Sequence, residues 1–242
     1  MVIPICKHTE RNKMPILTLR ELHNACVQAN KKHSDICESI PIFIGLGLGA
    51  QSIAEFGQGP PQYGLNSTMG LFYGLARSEK EDKKFYCYDL TYNPGLDNVG
   101  DTAVDLDIEY EYFKEDTGEV IIPPVDVLFI DSEHTYQHMM RELANNKDLV
   151  STYVALHDTS GKYSTWEDWP FDHERRGELA KYPEKYGMWP AVQDFVLENP
   201  EWEIAYRHTV GNGLTVLKRV SATGWVDFDM YNERVALTDQ SF

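Results

Sequence analysis

Short apolar runs alternate with helical stretches between residues 52 and 220, and this alternation limits the possible folds more than any other feature of the sequence. The runs typical of buried strands are residues 52–56, 85–90, 110–114, 125–130, 153–156, 202–205 and 214–217. Helical spacing of apolar residues occurs at 67–78, 136–149 and 189–197. Strands that alternate with helices are joined by right-handed crossovers, which produce a mainly parallel sheet. The sequence therefore predicts an α/β, Rossmann-like fold with a mainly parallel seven-stranded sheet and helices on both faces.

The last two strand candidates, 202–205 and 214–217, are separated by a short segment that contains glycine and asparagine. Such a segment favours a turn between antiparallel neighbours. We therefore expect one antiparallel strand at an edge of the sheet.

The chain of 242 residues is long enough for one large α/β domain, which we predict at 51–220. Residues 1–50 are expected to form an N-terminal helical cover, because apolar residues recur at helical spacing over 16–39. A polar, aromatic and proline-containing insertion at about 160–187 is interpreted as a lid. Residues 221–242 are interpreted as an acidic tail.

The formal net charge of −16 argues against nucleic acid as a partner, because phosphate binding needs a basic surface. The same charge argues against an anionic membrane surface. No stretch approaches the roughly 20 apolar residues that span a bilayer, and no secretory signal is recognised, so we expect a cytoplasmic protein. The four cysteines are expected to be free thiols. The expected partner is a small-molecule substrate, and a homo-oligomer is left open.

Acidic and glycine residues follow the first two strands, where ligands bind in open α/β sheets. Glu55, Gly57 and Gly59 form an E-x-G-x-G motif whose glycines allow a sharp turn and a close approach to a ligand. The motif lacks the third glycine of the dinucleotide fingerprint, and two prolines follow it, so a cofactor without a pyrophosphate suits it better. Asp89, at the end of the next strand, could accept hydrogen bonds from ribose hydroxyls. A turn glycine and a solvated aspartate are the alternative for each residue alone.

A second glycine series lies just upstream at Gly45, Gly47 and Gly49, after three apolar residues. It could be the cofactor loop or a packed connector. We favour the later motif, because it contains the acidic residue and is separated from the Asp89 strand by only one loop and one helix.

Two further strands end in acidic residues near histidines. Asp131 follows the strand 125–130, and His157-Asp158 follows the next strand along the chain. Adjacent strand ends would offer two carboxylates to Mg²⁺ or a similar cation. His134 could reach the same cavity as a general base, because its unperturbed pKa lies near 6.5. A helix-capping aspartate and a packed histidine are the alternative.

These residues together resemble a known family. The segments IAEFG, YDL, VDVLFIDSEHTY, VALHD and NGLTVLKR resemble those of the class I S-adenosylmethionine-dependent methyltransferases. Within that class they are most similar to the group of macrocin- and mycinamicin-type sugar O-methyltransferases and cephalosporin hydroxylase-like proteins. The similarity covers roughly residues 52–220, and its most specific parts are FIDSEHTY and LHD.

The resemblance implies a cofactor, S-adenosylmethionine, whose methionine part lies near Glu55, Gly57 and Gly59 and whose ribose is bound by Asp89. We also assign Asp131 to the cofactor site.

For the chemical step, the resemblance implies Asp131 and Asp158 as Mg²⁺ ligands and His134 as the base. His157 occupies a position that is commonly acidic in the metal-dependent members. It can bind a metal, but it suits softer ions better than Mg²⁺.

The predicted function is therefore an S-adenosylmethionine-dependent O-methyltransferase that acts on a small hydroxylated molecule such as a sugar, a polyol or a natural product, with the assistance of a metal. A metal-independent methyltransferase and a catalytically silent binding module of the same fold are the alternatives. A nicotinamide-dependent oxidoreductase is disfavoured by the incomplete glycine fingerprint.

Overall fold

The computed structural model describes residues 34–58, 67–91, 96–161, 187–209 and 212–228. Most of the expected helical cover, Gly59 of the glycine motif and nearly all of the expected lid therefore lie outside the described residues. The same holds for residues 229–242 of the expected tail.

Seven strands form one sheet. Their bounds are Ser52–Phe56 (β1), Lys84–Asp89 (β2), Glu109–Lys114 (β3), Val125–Ile130 (β4), Val150–His157 (β5), Trp202–His208 (β6) and Leu214–Arg219 (β7). The order across the sheet is β3-β2-β1-β4-β5-β7-β6. Strands β1 to β5 pair in parallel, and β7 is antiparallel to both β5 and the outermost strand β6. The predicted fold class is confirmed, including an antiparallel strand, β7, near one edge of the sheet.

Five helices are described, with bounds Ser34–Leu48 (α1), Ser67–Arg77 (α2), Leu96–Asp105 (α3), Tyr136–Asn146 (α4) and Met188–Glu198 (α5). The sequence pattern did not predict α3, because only a few apolar side chains, such as Val99 and Ala103, identify its buried face. Among the described helices, none is both long enough and apolar enough to cross a membrane.

The central strands are buried on both faces because helices cover both sides of the sheet. In β4, Val127 and Phe129 belong to one apolar cluster, whereas Leu128 and Ile130 belong to the other. The first cluster includes side chains of α1, α2 and α3, and the second includes side chains of α4 and α5. This alternation follows from the period of two along a strand, and it explains why β4 is apolar throughout.

The glycine series at 45–49 lies in and just after α1, where it allows close packing against α2. A Cβ at Gly47 would lie 2.5 Å from the carbonyl oxygen of Leu71 and 2.8 Å from the Cα of Gly74. Of the two alternatives for this series, a cofactor loop and a packed connector, the structure shows the packed connector. The cofactor loop that it could have formed is not observed.

The first part of the expected acidic tail, residues 221–228, packs against the core. The indole nitrogen of Trp225 donates to the carbonyl oxygen of Gly45 at 3.2 Å, and its ring stands edge-on to Tyr153. Phe228 is buried against Tyr153 and Tyr206. This segment therefore closes over the end of α1 and the face of β5.

Candidate active site

The crossover connections diverge between β1 and β4, and Gly57 lies at this point. After β1 the chain crosses towards β2 on one side, and after β4 it crosses towards β5 on the other. Gly57 has φ +79°, and its N–H donates to the carbonyl oxygen of Tyr88 at 2.9 Å. A Cβ here would lie 2.2 Å from the carbonyl oxygen of Asp131. Only glycine fits this turn, so the strand ends can approach each other closely.

A cavity of about 480 Å³ opens at the carboxyl ends of the parallel strands. It is lined by Gly57, Gln58, Asp89, Leu90, Thr91, Thr117, Asp131, Ser132, Glu133, His134, His138, His157 and Asp158. Six of the eight site residues that the sequence predicts are therefore brought together. Of the other two, Gly59 lies outside the described residues, and Glu55 does not line the cavity.

Glu55 is fully buried and fixes the start of α2. Its carboxylate accepts hydrogen bonds from the hydroxyl groups of Thr68, at 2.8 and 2.9 Å, and Ser67, at 3.1 Å. Burial raises the pKa of Glu55 to about 8, although these two hydroxyl groups act in the opposite direction. This position differs from the contact with a cofactor that the resemblance implies, because the carboxylate has no exposed surface.

Asp89 ends β2 and lines the cavity beside Leu90. One of its carboxylate oxygens accepts hydrogen bonds from the N–H of Thr91 at 2.9 Å and from the hydroxyl group of Thr91 at 3.1 Å. Leu90 also lines the cavity and is 46 % exposed. A carboxylate next to an exposed apolar side chain suits a ligand that joins hydroxyl groups to a flat ring.

Two carboxylates and one imidazole converge behind the ends of β4 and β5. His134 Nε2 lies 2.5 Å from Asp158 Oδ2 and 3.6 Å from Asp131 Oδ1. One ligand atom from each of the three residues lies within 4.8 Å of the other two. Asp158 adopts φ +56°, a left-handed conformation that is uncommon for residues other than glycine.

The charge state of His134 differs from the sequence prediction. Burial lowers the pKa of His134, but the two adjacent carboxylates outweigh burial and raise it to about 10. The sequence predicted a neutral imidazole at neutral pH, whereas in this arrangement the imidazole holds its proton. For Asp158, burial raises the pKa, and the two imidazoles lower it more strongly, so the net direction is downward.

His157 contacts both carboxylates but is not one of the three converging residues. Its Nδ1 lies 3.1 Å from Asp131 Oδ1 and 3.4 Å from Asp158 Oδ1. Burial lowers its pKa, and the carboxylates raise it by more, well above the ordinary value. The sequence predicted His157 as a metal ligand and His134 as a base, whereas the geometry brings His134 into the group with ligand spacing.

The converging group fits a divalent cation. Asp131 and Asp158 supply oxygen atoms and His134 supplies a nitrogen, all at the spacing of a shared ion. Mg²⁺ prefers oxygen ligands, and an imidazole nitrogen moves the preference towards transition-metal ions.

A buried polar network beside this group was not predicted from the sequence. Glu142 of α4 is fully buried, and it is contacted by His138 Nε2 at 3.1 Å and by the hydroxyl group of Ser132 at 2.5 Å. Thr135 caps the helix by accepting a hydrogen bond from the N–H of His138. The spacing of His138 and Glu142, four residues apart on one helix, was the available signal.

No family model and no curated protein matches the chain. Solved structures similar to it include an O-methyltransferase family protein from Burkholderia thailandensis, with 12 % identity over 84 % of this chain and 60 % of that chain and a TM-score of 0.47. Another is the O-methyltransferase from Bacillus cereus in complex with SAH, with 14 % identity over 83 % of this chain and 90 % of that chain and a TM-score of 0.47. A methyltransferase from Geobacter sulfurreducens has 12 % identity over 82 % of this chain and 87 % of that chain and a TM-score of 0.46. The chain spans about three fifths of the length of the Burkholderia protein.

Proposed function

We propose that this chain is an S-adenosylmethionine-dependent methyltransferase that methylates a hydroxyl group of a small molecule. One observation carries the proposal: a nucleoside-type wall and an acid–imidazole group line the same cavity at the divergence of the strands. The wall consists of Gly57, Asp89 and Leu90, and the acid–imidazole group consists of Asp131, His134 and Asp158. This is where an open α/β sheet binds its ligand.

The charge of the cavity supports a cationic cofactor. Four carboxylates line it, from Asp89, Asp131, Glu133 and Asp158, and no lysine or arginine occurs among the described lining residues. A dinucleotide needs partners for its pyrophosphate, and carboxylates would repel that group. A sulfonium ion carries a positive charge, which the carboxylates attract. S-adenosylmethionine therefore fits this lining better than a nicotinamide dinucleotide does.

Methyl transfer forms an oxygen–carbon bond, breaks the sulfur–carbon bond and releases the proton of the hydroxyl group. His134 lines the cavity, and without a cation it is the residue that we expect to take this proton, in the neutral form that its raised pKa makes the minor form at neutral pH. Asp158, 2.5 Å away, orients the ring and stabilises the imidazolium that forms. With a divalent cation held by Asp131, His134 and Asp158, His134 would be a ligand and not the base. The cation would act as a Lewis acid that lowers the pKa of the substrate hydroxyl group, whose proton would pass to solvent.

The proposal is tested by calorimetric titration with S-adenosylmethionine and S-adenosylhomocysteine, followed by a screen of sugar, polyol and catechol acceptors. Formation of S-adenosylhomocysteine measures turnover. We expect binding of both nucleosides and turnover with at least one acceptor class. The matched variant Asp89→Asn should bind S-adenosylhomocysteine about tenfold more weakly, because it loses a charged acceptor for the ribose hydroxyls. A chain that binds neither nucleoside is not a methyltransferase of this kind.

A metal-independent methyltransferase is the second candidate, and one observation favours it. His134 and His157 already contact both carboxylates, so Asp131 and Asp158 are partnered by imidazoles without a cation. Turnover after removal of divalent ions with EDTA separates the two candidates. Full activity in EDTA supports the second, and activity that returns only with an added cation supports the first.

A further inference from the structure

One cationic side chain lies beside the cavity and has no carboxylate partner among the described residues. Arg207 of β6 is partly buried, and burial lowers its pKa, with no described carboxylate acting in the opposite direction. The chain has 38 acidic residues and 22 lysine and arginine residues, so an arginine without an acidic neighbour is unexpected. A charge that is removed from water normally has a partner of opposite charge, and here a ligand can supply it.

The guanidinium group of Arg207 is fixed by a stacking contact and by one hydrogen bond. Its Cζ lies 3.3 Å from the centroid of the Trp189 ring, and its Nη2 donates to the carbonyl oxygen of Thr159 at 3.3 Å. The Nε atom is buried without a hydrogen bond. In contrast, Nη1 keeps accessible surface and makes no hydrogen bond to a described residue. A guanidinium held against an indole has little freedom to rotate, so Nη1 is in place to donate to a ligand.

Thr159 connects this cation to the candidate active site. It directly follows Asp158, which lines the cavity. Its hydroxyl group accepts a hydrogen bond at 2.9 Å from the hydroxyl group of Thr215, which is the partner of Arg207 in the pairing of β6 with β7. The guanidinium group therefore lies at the carboxyl end of β5, at the same end of the sheet as the cavity.

Arg207 and the nucleoside-type wall lie on different sides of the acid–imidazole group. In the order of the sheet, β5, β7 and β6 come after β4 on one side, and β1 and β2, which carry the wall, come before it on the other. Neighbouring strands are about 4.8 Å apart, so β5 lies roughly 10 Å from β1. If the cofactor lies along the wall, the molecule that reaches Arg207 is the one on the far side of the methyl group, which is the acceptor.

We propose that Arg207 binds a carboxylate of the methyl acceptor, which is therefore a hydroxylated carboxylic acid. The four carboxylates of the cavity lining repel such a group elsewhere, so the acceptor enters with its carboxylate at Arg207 and its hydroxyl group at the acid–imidazole group. A guanidinium and a carboxylate form a charge-assisted hydrogen bond, which is stronger than a neutral one. The inference rests on the proposed function, because that function supplies the acceptor.

Two pairs of acceptors that differ by a carboxylate test the assignment. The pairs are catechol with 3,4-dihydroxybenzoate and glucose with glucuronate, and the formation of S-adenosylhomocysteine measures turnover. We expect the wild type to prefer the carboxylate in kcat/KM by about tenfold to a hundredfold in the pair that it uses. Arg207→Gln should lose this preference and keep its rate with the uncharged acceptor. Arg207→Lys keeps the charge without the planar group and should keep part of the preference.

Arg219 of β7 provides a matched control. Its Cζ lies 4.6 Å from the centroid of the Trp202 ring, and its Nε donates to the carbonyl oxygen of Val150 at 3.0 Å. Val150 begins β5 and the cavity lies at the other end of that strand, roughly 23 Å away at about 3.3 Å per residue. Arg219→Gln removes the same charge and the same kind of stacking contact. We expect it to lower the melting temperature and to leave the preference for the carboxylate unchanged.

Calorimetric titration with 3,4-dihydroxybenzoate and with glucuronate, in the presence of S-adenosylhomocysteine, tests the site without turnover. Binding that is at least about tenfold weaker in Arg207→Gln and unchanged in Arg219→Gln supports the site. If the same chain transfers no methyl group, the site stands and the proposed function is overturned.

Three results overturn the carboxylate site and leave the proposed function intact. They are turnover without a preference for the carboxylate, a preference that Arg207→Gln retains, and the absence of binding of both carboxylates to a chain that binds S-adenosylhomocysteine. A loss of S-adenosylhomocysteine affinity in Arg207→Gln also overturns the assignment, because it places the carboxylate of the cofactor at Arg207. A chain that binds neither S-adenosylhomocysteine nor either carboxylate overturns both proposals.

Discussion

His134 has the shortest ionic contact of any side chain in the cavity among those described. Its Nε2 lies 2.5 Å from Asp158 Oδ2, and Asp131 holds the same nitrogen at a longer distance. An imidazole nitrogen that faces two carboxylates has a fixed position relative to anything that enters the cavity. A small change at this position should therefore affect turnover more than binding.

We expect His134→Ala to lower kcat by at least about a hundredfold, because general-base catalysis contributes roughly 10²–10⁴-fold. The affinity for S-adenosylmethionine should change little, since the nucleoside-type wall is untouched. Steady-state kinetics and calorimetry on the same preparation check both parts. An unchanged kcat would remove His134 from the mechanism, and a loss of both affinity and kcat would indicate a role in binding.

Glu55 gives a pH prediction with a definite sign. Its folded pKa of about 8 lies above the ordinary value of 4.5, so the fold favours the neutral form. The corresponding stability is complete below about pH 4.5 and is lost as the pH rises towards 8. Glu55→Gln removes the buried charge and keeps the side-chain volume. We expect the variant to exceed the wild type in free energy of unfolding by a few kcal/mol at pH 9, and by much less at pH 5.

Urea denaturation of both proteins at pH 5, 7 and 9 tests this expectation. The difference between them should widen with pH, because all other titrating groups are common to both. Parallel pH dependences would show that Glu55 is ionised in the fold without cost. A loss of S-adenosylmethionine affinity in a stable variant would instead support the cofactor contact that the resemblance implies.

At the scale of elements, the packing of α1 against α2 depends on glycines, because a side chain at these positions would collide with the other helix. Gly47→Ala places a methyl group 2.5 Å from a backbone oxygen of α2, and the backbone cannot move aside without separating the helices. We expect a loss of about 1–3 kcal/mol in the free energy of unfolding. The matched control is Gly100→Ala in α3, where the nearest atom is a ring carbon of Tyr110 at 4.0 Å. There the better helix propensity of alanine should add about 0.5–1 kcal/mol. Equal changes in the free energy of unfolding for Gly47→Ala and Gly100→Ala would show that the close approach of the two helices does not require glycine at position 47.

Elements that are apolar on all buried faces can be predicted from the sequence, and elements with few apolar residues cannot. Val125–Ile130 is a strand with the bounds that its apolar run predicts, because a strand buried on both faces is apolar throughout. In contrast, α3 was missed because its sequence contains few apolar residues. The glycine series of α1 left two interpretations open, because close helix packing and a ligand loop both require small residues.

The sequence predicts the location of the candidate site, but it does not predict the roles of the individual residues there. The ends of β1, β2, β4 and β5 meet in one cavity, as the strand pattern implied. The roles of His134 and His157 depend on differences of about an ångström between side-chain contacts, and the sequence contains no such information. The hydroxyl group of Ser132, in the turn before α4, also contacts the buried Glu142, and nothing in the sequence indicates this contact.

At the scale of the whole molecule, the excess of acidic residues raises the affinity of the cavity for cations. The chain has a formal net charge of −16, and four of its carboxylates line one cavity. A cation that binds only the folded state stabilises it by about 2.7 kcal/mol at a hundred times its Kd. The imidazole of His134 in the converging group favours Mn²⁺ over Mg²⁺. We therefore expect Mn²⁺ to raise the melting temperature of the EDTA-treated protein at lower concentrations than Mg²⁺ does.

General screening of the negative charge by a cation would also stabilise the chain, so the experiment needs a control of equal charge. Asp158→Asn removes one ligand of the converging group, whereas Asp101→Asn removes one exposed carboxylate of α3. A specific site loses its response to Mn²⁺ in the first variant and keeps it in the second, because only the first changes the coordination. If both variants respond like the wild type, the stabilisation comes from screening of the net charge, and the metal-independent candidate for the transfer is favoured.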